Sequence, residues 1–220
     1  MGKQVLGLCA ACSIIGLITI YAASGAMGTT RLPISELRED MVGSTVEISG
    51  TVVDLREHRN GHVFLKVQDD SGGSITIPLF SDVRSGVGRV EILDRVEVKG
   101  ELSAYKGELE IIPSSARDVK VQRSGITPLS ELGEEYYGKL VKVEGKIDRI
   151  NRLPGGQAIL NLQDENAIAK IFLPKNVAGE LNWLAEGVEV RVGGWYQLYE
   201  GEPEIKVVDR ACLLPVGNDA

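Results

Sequence analysis

Two histidines four residues apart, His58 and His62, and two acidic pairs, Asp69-Asp70 and Asp164-Glu165, are the side chains of this sequence best suited to hold a metal or move a proton. A protein zinc site needs three or four nitrogen, sulfur or carboxylate ligands converging on one point. His58 and His62 are the only histidines, and no cysteine lies near them. The pair therefore predicts no metal. The acidic pairs lead into Ser71-Gly72-Gly73 and Asn166, where a carboxylate accepting local backbone N–H groups builds a turn. That role accounts for them without catalysis. The sequence also lacks a phosphate loop, a nucleophile motif and a paired-histidine metal signature. The expectation is a binding protein rather than an enzyme, with no cofactor.

Aromatic rings beside cations carry a different chemistry. A ring stacks on an unpaired base, worth roughly 1–3 kcal/mol per base, while cations track the phosphates. Phe64, Lys66 and Phe80 stand near Arg56, His58, Arg59 and His62, and this set is the first candidate ligand surface. The same two phenylalanines also suit packing under a loop or between two domains. Lys170 and Phe172, bordered by Arg149 and Arg152, make a second set with one aromatic fewer. Tyr105 and Tyr199 each stand two residues before a glycine, where a tyrosine clamps a ligand or braces its own hairpin.

Positioning these groups takes a scaffold, and a duplication supplies it. Residues 34–70 align with 129–165 at a constant offset of 95 without a gap. Ile34-Ser35-Glu36-Leu37 answers Leu129-Ser130-Glu131-Leu132, and Leu65, Val67, Gln68 and Asp69 answer Leu160, Leu162, Gln163 and Asp164. Later, Val96-Glu97-Val98-Lys99 answers Val188-Glu189-Val190-Arg191, and Tyr105-Lys106-Gly107-Glu108 answers Tyr199-Glu200-Gly201-Glu202. Within the first copy Val46, Ile48 and Val52 alternate with Glu47, Ser49 and Thr51. Leu65 and Val67 alternate with Phe64, Lys66 and Gln68, and Ile75, Ile77 and Leu79 with Thr76, Pro78 and Phe80. A period of two is the strand signature.

With Val96 and Val98 leading a fourth strand and Leu109 and Ile111 a fifth, the expected fold is all-β. It consists of two tandem five-stranded barrels, residues 32–123 and 127–216, behind one N-terminal apolar helix, with the joint at Gln122 to Thr127. Gly50 and Gly145, inside the long first strands, predict a bulge or bend there. Asn182-Trp183-Leu184-Ala185 predicts a short helix in the second copy, whereas Ser85-Gly86-Val87-Gly88 speaks against one in the first. Lys142 and Lys146, alternating with Glu144 and Asp148, read as a solvated face, and Cys212 as a small buried residue near the last strand.

The runs Val46-x-Ile48-x-Gly50, Phe64-Leu65-Lys66-Val67-Gln68-Asp69, Val96-Glu97-Val98-x-Gly100 and Tyr105-x-Gly107-Glu108-x-Glu110-Ile111 carry a resemblance. Each copy resembles an OB-fold of the anticodon-binding, single-strand nucleic-acid-binding kind. The resemblance implies that ligands sit on the outer face of the second and third strands and the adjoining loops. The implied ligand-binding residues are Arg56, Arg59, Phe64, Lys66, Phe80 and Tyr105 in the first copy, and Arg152, Lys170, Phe172 and Tyr199 in the second.

Charge tempers this expectation. The formal net charge is −7 and the pI is near 5.0, which argues against tight, sequence-blind binding by counterion release. Between Lys3 and Arg31 lie 27 uncharged residues, most apolar from Val5 to Ile20. Residues 1–30 therefore read as a membrane anchor or a cleaved signal segment, with the barrels outside the cytoplasm in either case. The expected function is a membrane-associated module for single-stranded nucleic acid. The alternative is an exported binding or assembly module for a protein partner or small molecule.

Overall fold

The structure, a computed structural model, describes residues 13, 14, 16 and 30–217. The apolar stretch from Val5 to Ile20 lies outside the described residues but for three positions. Among the described residues no helix is long and apolar enough to cross a membrane.

After a two-residue strand β1 (Thr30–Arg31), the first copy runs through β2 (Thr45–Glu57), β3 (Val63–Gln68), β4 (Ser74–Leu79), β5 (Arg95–Tyr105), β6 (Glu108–Ile112) and β7 (Val119–Gln122). The second copy runs through β8 (Lys139–Arg152), β9 (Ala158–Gln163), β10 (Ile168–Leu173), β11 (Glu189–Tyr199), β12 (Glu202–Lys206) and β13 (Leu213–Pro215). In the first copy β2 pairs with β3, β3 with β4, β4 with β6 in parallel, β6 with β5, and β5 with β2 again. The ladder returns to its start, so five strands close into a ring, with β1 and β7 added outside it. In the second copy β8, β9, β10, β12 and β11 close in the same order, and β13 is added to β11. Closure removes the unpaired strand edges that an open sheet exposes.

The period-two pattern works as expected. Ile48, Leu65, Val67, Ile77 and Leu79 all point inward and are fully buried, while Phe64, Lys66 and Gln68 between them face out. Burying each such aliphatic side chain stabilises the fold by roughly 1.5–3 kcal/mol.

Of the bulge or bend expected at Gly50 and Gly145, the bulge lies elsewhere. A Cβ at Gly50 would lie 2.5 Å from the Gln68 carbonyl oxygen, and one at Gly145 2.7 Å from that of Gln163; these glycines let two strands cross closely. The register breaks come later, between Val52 and Asp54 and between Ile147 and Arg149. Gly86 does not forbid a helix. Helix α1 (Ser81–Val87) forms in the first copy and buries Val83. A Cβ at position 86 would lie 2.6 Å from the Ala116 Cβ, so the glycine lets α1 pack against the 3₁₀ turn Ala116–Asp118. In the second copy the helix is α2 (Lys175–Ala178), which buries Val177 and Ala178. Asn182 and Trp183 form a turn instead of the expected helix, with Leu184 after it buried and Trp183 exposed.

The copies are docked by a face that the sequence reading took for solvated. Both rings belong to one compact unit beginning at Arg31. Lys142 on β8 is only 2% exposed, and its Nζ lies 2.6 Å from Asp94 Oδ1 and 3.2 Å from Glu91 Oε2 of the first copy. Arg191 on β11 joins Glu91, at 3.0 Å, to Glu144, at 2.9 Å. Burial opposes the Arg191 charge, but Glu144 and Glu91 outweigh it and hold the guanidinium above its ordinary pKa. The joint contributes Arg123, 3.2 Å from Glu91, and the Ser124 N–H, which donates to Asp94. A Cβ at Gly193 would lie 3.0 Å from the Ile92 Cβ, so the second copy meets the first backbone-close at this point. Lys146 and Asp148 do stay exposed.

Candidate functional site

Strand register places the outward side chains of the first ring in rows. Arg56, Phe64 and Pro78 lie side by side across β2, β3 and β4, and Asp54, Lys66 and Thr76 form the next row. Directly opposite residues in such rows have Cβ atoms about 4.5–5.5 Å apart. Phe64 thus neighbours Arg56, and Lys66 neighbours Asp54. Phe64 is 37% exposed. Asp54 Oδ2 accepts from Arg56 Nε at 3.0 Å, an ion pair on the exposed face. Lys66 makes no ion pair among the described residues. Beyond Thr76 the parallel neighbour is Glu110 on β6, whose carboxyl burial pushes above its ordinary pKa.

This face opens into a cleft of about 430 Å³ between the copies. Val53, Asp54, Arg56, Lys66 and Gln68 form its first-copy side, and Trp195 and Val208 its second-copy side. Its volume falls in the roughly 300–1,000 Å³ range of small-ligand clefts. A larger cleft of about 500 Å³ lies wholly on the second copy, lined by Glu144, Asp164, Glu165 and Glu189 against the single cation Lys146. Four carboxylates to one ammonium repel a polyanion, so charge selects the smaller cleft over the larger.

The remaining candidates scatter. Phe80 turns to the β2–β3 loop, where its ring meets His62 edge-on at 5.4 Å. The Ser81 N–H, which opens α1, donates to His62 Nδ1 at 3.0 Å. The histidine pair therefore braces a helix start, with His58 stacked on His62. Arg59 reaches across to Glu180 at 3.8 Å, beside Arg210, which bonds both Glu57 and Glu180. On the second ring Phe172 is half-buried and Lys170 pairs with Glu202 at 3.1 Å, while Arg152 is exposed. Tyr105 and Tyr199 occupy matching hairpin turns. Each is followed by a residue and a glycine with positive φ, Lys106-Gly107 and Glu200-Gly201, the pattern of a tight two-residue turn. Lys106 Nζ sits 5.1 Å above the Tyr105 ring.

The acidic pairs build turns. Asp69 accepts from the backbone N–H groups of Ile34 and Ser71, and Asp164 from those of Leu129, Asn166 and Ala167. Each carboxylate ties the opening 3₁₀ turn of its copy to its own hairpin. For Asp69, burial works upward, but the Ser71 hydroxyl and the backbone N–H groups prevail and hold its pKa below the usual range. For Asp164 the Asn166 N–H leads the same downward shift. Cys212 is buried against the Leu55 carbonyl at 3.9 Å, and burial, followed by nearby Asp209 and Asp54, pushes its thiol up to about 12.

Trp195 is the aromatic residue of the cleft, and sequence reasoning left it unassigned. Its signal was in the repeat: Glu101 pairs with Thr45 as Trp195 pairs with Leu140, and the copies differ in kind there, carboxylate against indole.

The closed 1-2-3-5-4 strand order defines the class, and a family model agrees. Residues 46–119, within the first copy, match the OB-fold nucleic acid binding domain. Among solved structures, asparaginyl-tRNA synthetase from Pyrococcus horikoshii is similar at 23% identity and TM-score 0.36, over 41% of this chain and 23% of that one. The Entamoeba histolytica asparaginyl-tRNA synthetase complexed with asparaginyl-adenylate is similar at 16% identity and TM-score 0.35, over 42% and 24%. The S. pombe Stn1-Ten1 complex is similar at 20% identity and TM-score 0.30, over 36% and 59%. The match thus spans under a quarter of either synthetase. No curated protein matches the sequence.

Proposed function

We propose that the chain is a non-enzymatic OB-fold module that binds single-stranded nucleic acid on the outer face of its first ring. The observation that carries this reading is the row geometry of β2–β4, which sets the exposed Phe64 opposite Arg56 and places Lys66 in the next row of the same face, opposite Asp54. An aromatic face with two cations suits a base and its flanking phosphates. The family match falls on this copy. The uncharged stretch between Lys3 and Arg31 supports a module that is membrane-anchored or exported, with the rings outside the cytoplasm. Fluorescence anisotropy of labelled oligothymidylate with the full chain tests the reading. Binding at about 50 mM salt, weakened by Phe64→Ala, is the expected result. Absence of binding at that salt refutes it.

A second reading, an exported assembly module for a protein partner, is favoured by the acidic second-copy cleft and by exposed Ile168, Leu198 and Tyr199. Capture of a protein from solubilised membranes that persists after nuclease treatment, with no oligonucleotide binding, would decide for it.

A further inference from the structure

We propose that the nucleic-acid site is composite: Trp195 of the second copy is a wall of the cleft on which an unpaired base stacks, while Lys66 and Arg56 of the first copy hold the adjoining phosphates. This rests on the reading of the chain as a single-strand binder and assigns it a residue outside the matched domain.

Three observations lead there. The outward positions of β11 run Arg191, Gly193, Trp195, and the first two are sealed against Glu91 and Ile92 of the first copy. Trp195 is the next one out, at the margin where the seam opens into the cleft, and it remains 39% exposed. Among the described residues no other ring stacks on it. The half-bare indole lines the same cleft as Arg56 and Lys66, so a ring that can meet a base and cations that can meet its phosphates share one surface.

The second observation is charge. The cleft holds Arg56 and Lys66 against the single carboxylate Asp54, in a molecule whose net charge is −7. The third is the repeat. The equivalent of Trp195 is Glu101, exposed on the first copy. The aromatic residue thus stands only in the copy whose strand faces the neighbouring ring's cleft. The buried network of Lys142, Asp94, Glu91 and Arg191 fixes the copies in this arrangement, so the indole is held in place before any ligand arrives.

The sequence contains two tryptophans, Trp183 and Trp195, so Trp183→Phe leaves Trp195 as the sole indole. In that background, titrating the full chain with oligothymidylate should quench the tryptophan emission, and an abasic oligonucleotide of the same length should not. Trp195→Ala should weaken oligothymidylate binding by roughly five- to a hundredfold, as loss of one stacked base does. Trp195→Phe, which keeps a ring and guards against a folding defect, should retain most of it. If the wild-type chain binds and Phe64→Ala weakens binding, but Trp195→Ala changes it less than about twofold and the emission stays unmoved, the composite site is overturned and the single-strand reading stands. If the wild-type chain binds no oligonucleotide at low salt, both fall.

Discussion

Replacing Lys142 with alanine removes the ammonium that holds Asp94 and Glu91 at 2.6 and 3.2 Å. Both carboxylates are almost wholly buried. Breaking a buried ion pair from one side costs roughly 3–5 kcal/mol, because a charge is left without its counterion. Here the remaining partners set the value within that range. Asp94 keeps the Glu91 and Ser124 N–H groups, and Glu91 keeps Arg191 and Arg123. The expected loss is therefore about 3 kcal/mol, the lower end. Urea unfolding followed by circular dichroism measures it. Lys142→Met should lose nearly as much, since it restores volume but not charge, and adding Asp94→Asn to it should recover part of the loss. A coupling of at least about 1 kcal/mol between positions 142 and 94 is expected from a double-mutant cycle. A loss below about 1 kcal/mol for Lys142→Ala, with no coupling, would mean that the ammonium is hydrated and the seam between the copies is open in solution.

Salt should weaken oligonucleotide binding only gently. With Arg56 and Lys66 as about two phosphate contacts, the slope of log K against log salt is about −0.7 × 2, near −1.4, or roughly sevenfold between about 50 and 200 mM; a slope steeper than about −4 would show that other cations carry the affinity. Cys212, its thiol pushed up to about 12, should resist a disulfide reagent at neutral pH until the copies separate, and Lys142→Ala should speed its labelling in a chain whose Cys9 and Cys12 are serine. Rapid labelling of that serine-substituted chain without the Lys142 change would count against the docked arrangement. The lowered pKa values of Asp69 and Asp164 add stability that is fully present above the unfolded carboxylate value near about 3.9 and is lost as pH falls through the lower folded values. Thermal melts below about pH 4 should therefore show a decline that is shallower in the Asp69→Asn, Asp164→Asn double variant, and equal slopes would remove these carboxylates from the account.

The parts of the fold legible in the sequence were those governed by local alternation. Leu65 and Val67 point inward because a strand allows nothing else once Phe64, Lys66 and Gln68 face water, and the offset of 95 showed that the pattern occurs twice. What escaped depends on what lies across space from a residue. Gly86 argued against a helix by propensity, yet Ala116 requires a residue without a Cβ at that point of α1. Lys142 looked solvated because its own strand gives it charged neighbours, while its partners Asp94 and Glu91 lie about fifty residues earlier in the chain. Of the proposed ligand residues, Arg56, Phe64 and Lys66 come together on one face, whereas Phe80 and Arg59 serve the loop and the seam.

Comparing equivalent positions in the two copies explains why a site would be built once rather than twice. Strand pairing sets Val96 against Gly50 and Val190 against Gly145, so Val96 answers Val190 and not Val188 as the sequence alignment had it. On the first ring Glu47 pairs with Lys99, and Ser49 with Glu97, and the same places on the second ring hold Lys142 with Gly193, and Glu144 with Arg191. In the first copy Glu97 pairs, among the described residues, with the exposed cations Arg31 and Lys120. In the second, a lysine and an arginine replace glutamates, and a glycine replaces a lysine, so the face becomes complementary to Glu91 and Asp94 and can approach Ile92 closely. One ring's free surface is the other's docking surface. The direction matters, because docking consumes the β8–β11 face of the second copy and leaves the β2–β4 face of the first copy open, with the edge of the docked face, Trp195, set beside it. A ligand surface on this chain is then a property of the pair. It would be lost by separating the rings even if each remained folded, which is why the Lys142 variants that loosen the seam should also weaken oligonucleotide binding without touching a residue of the cleft.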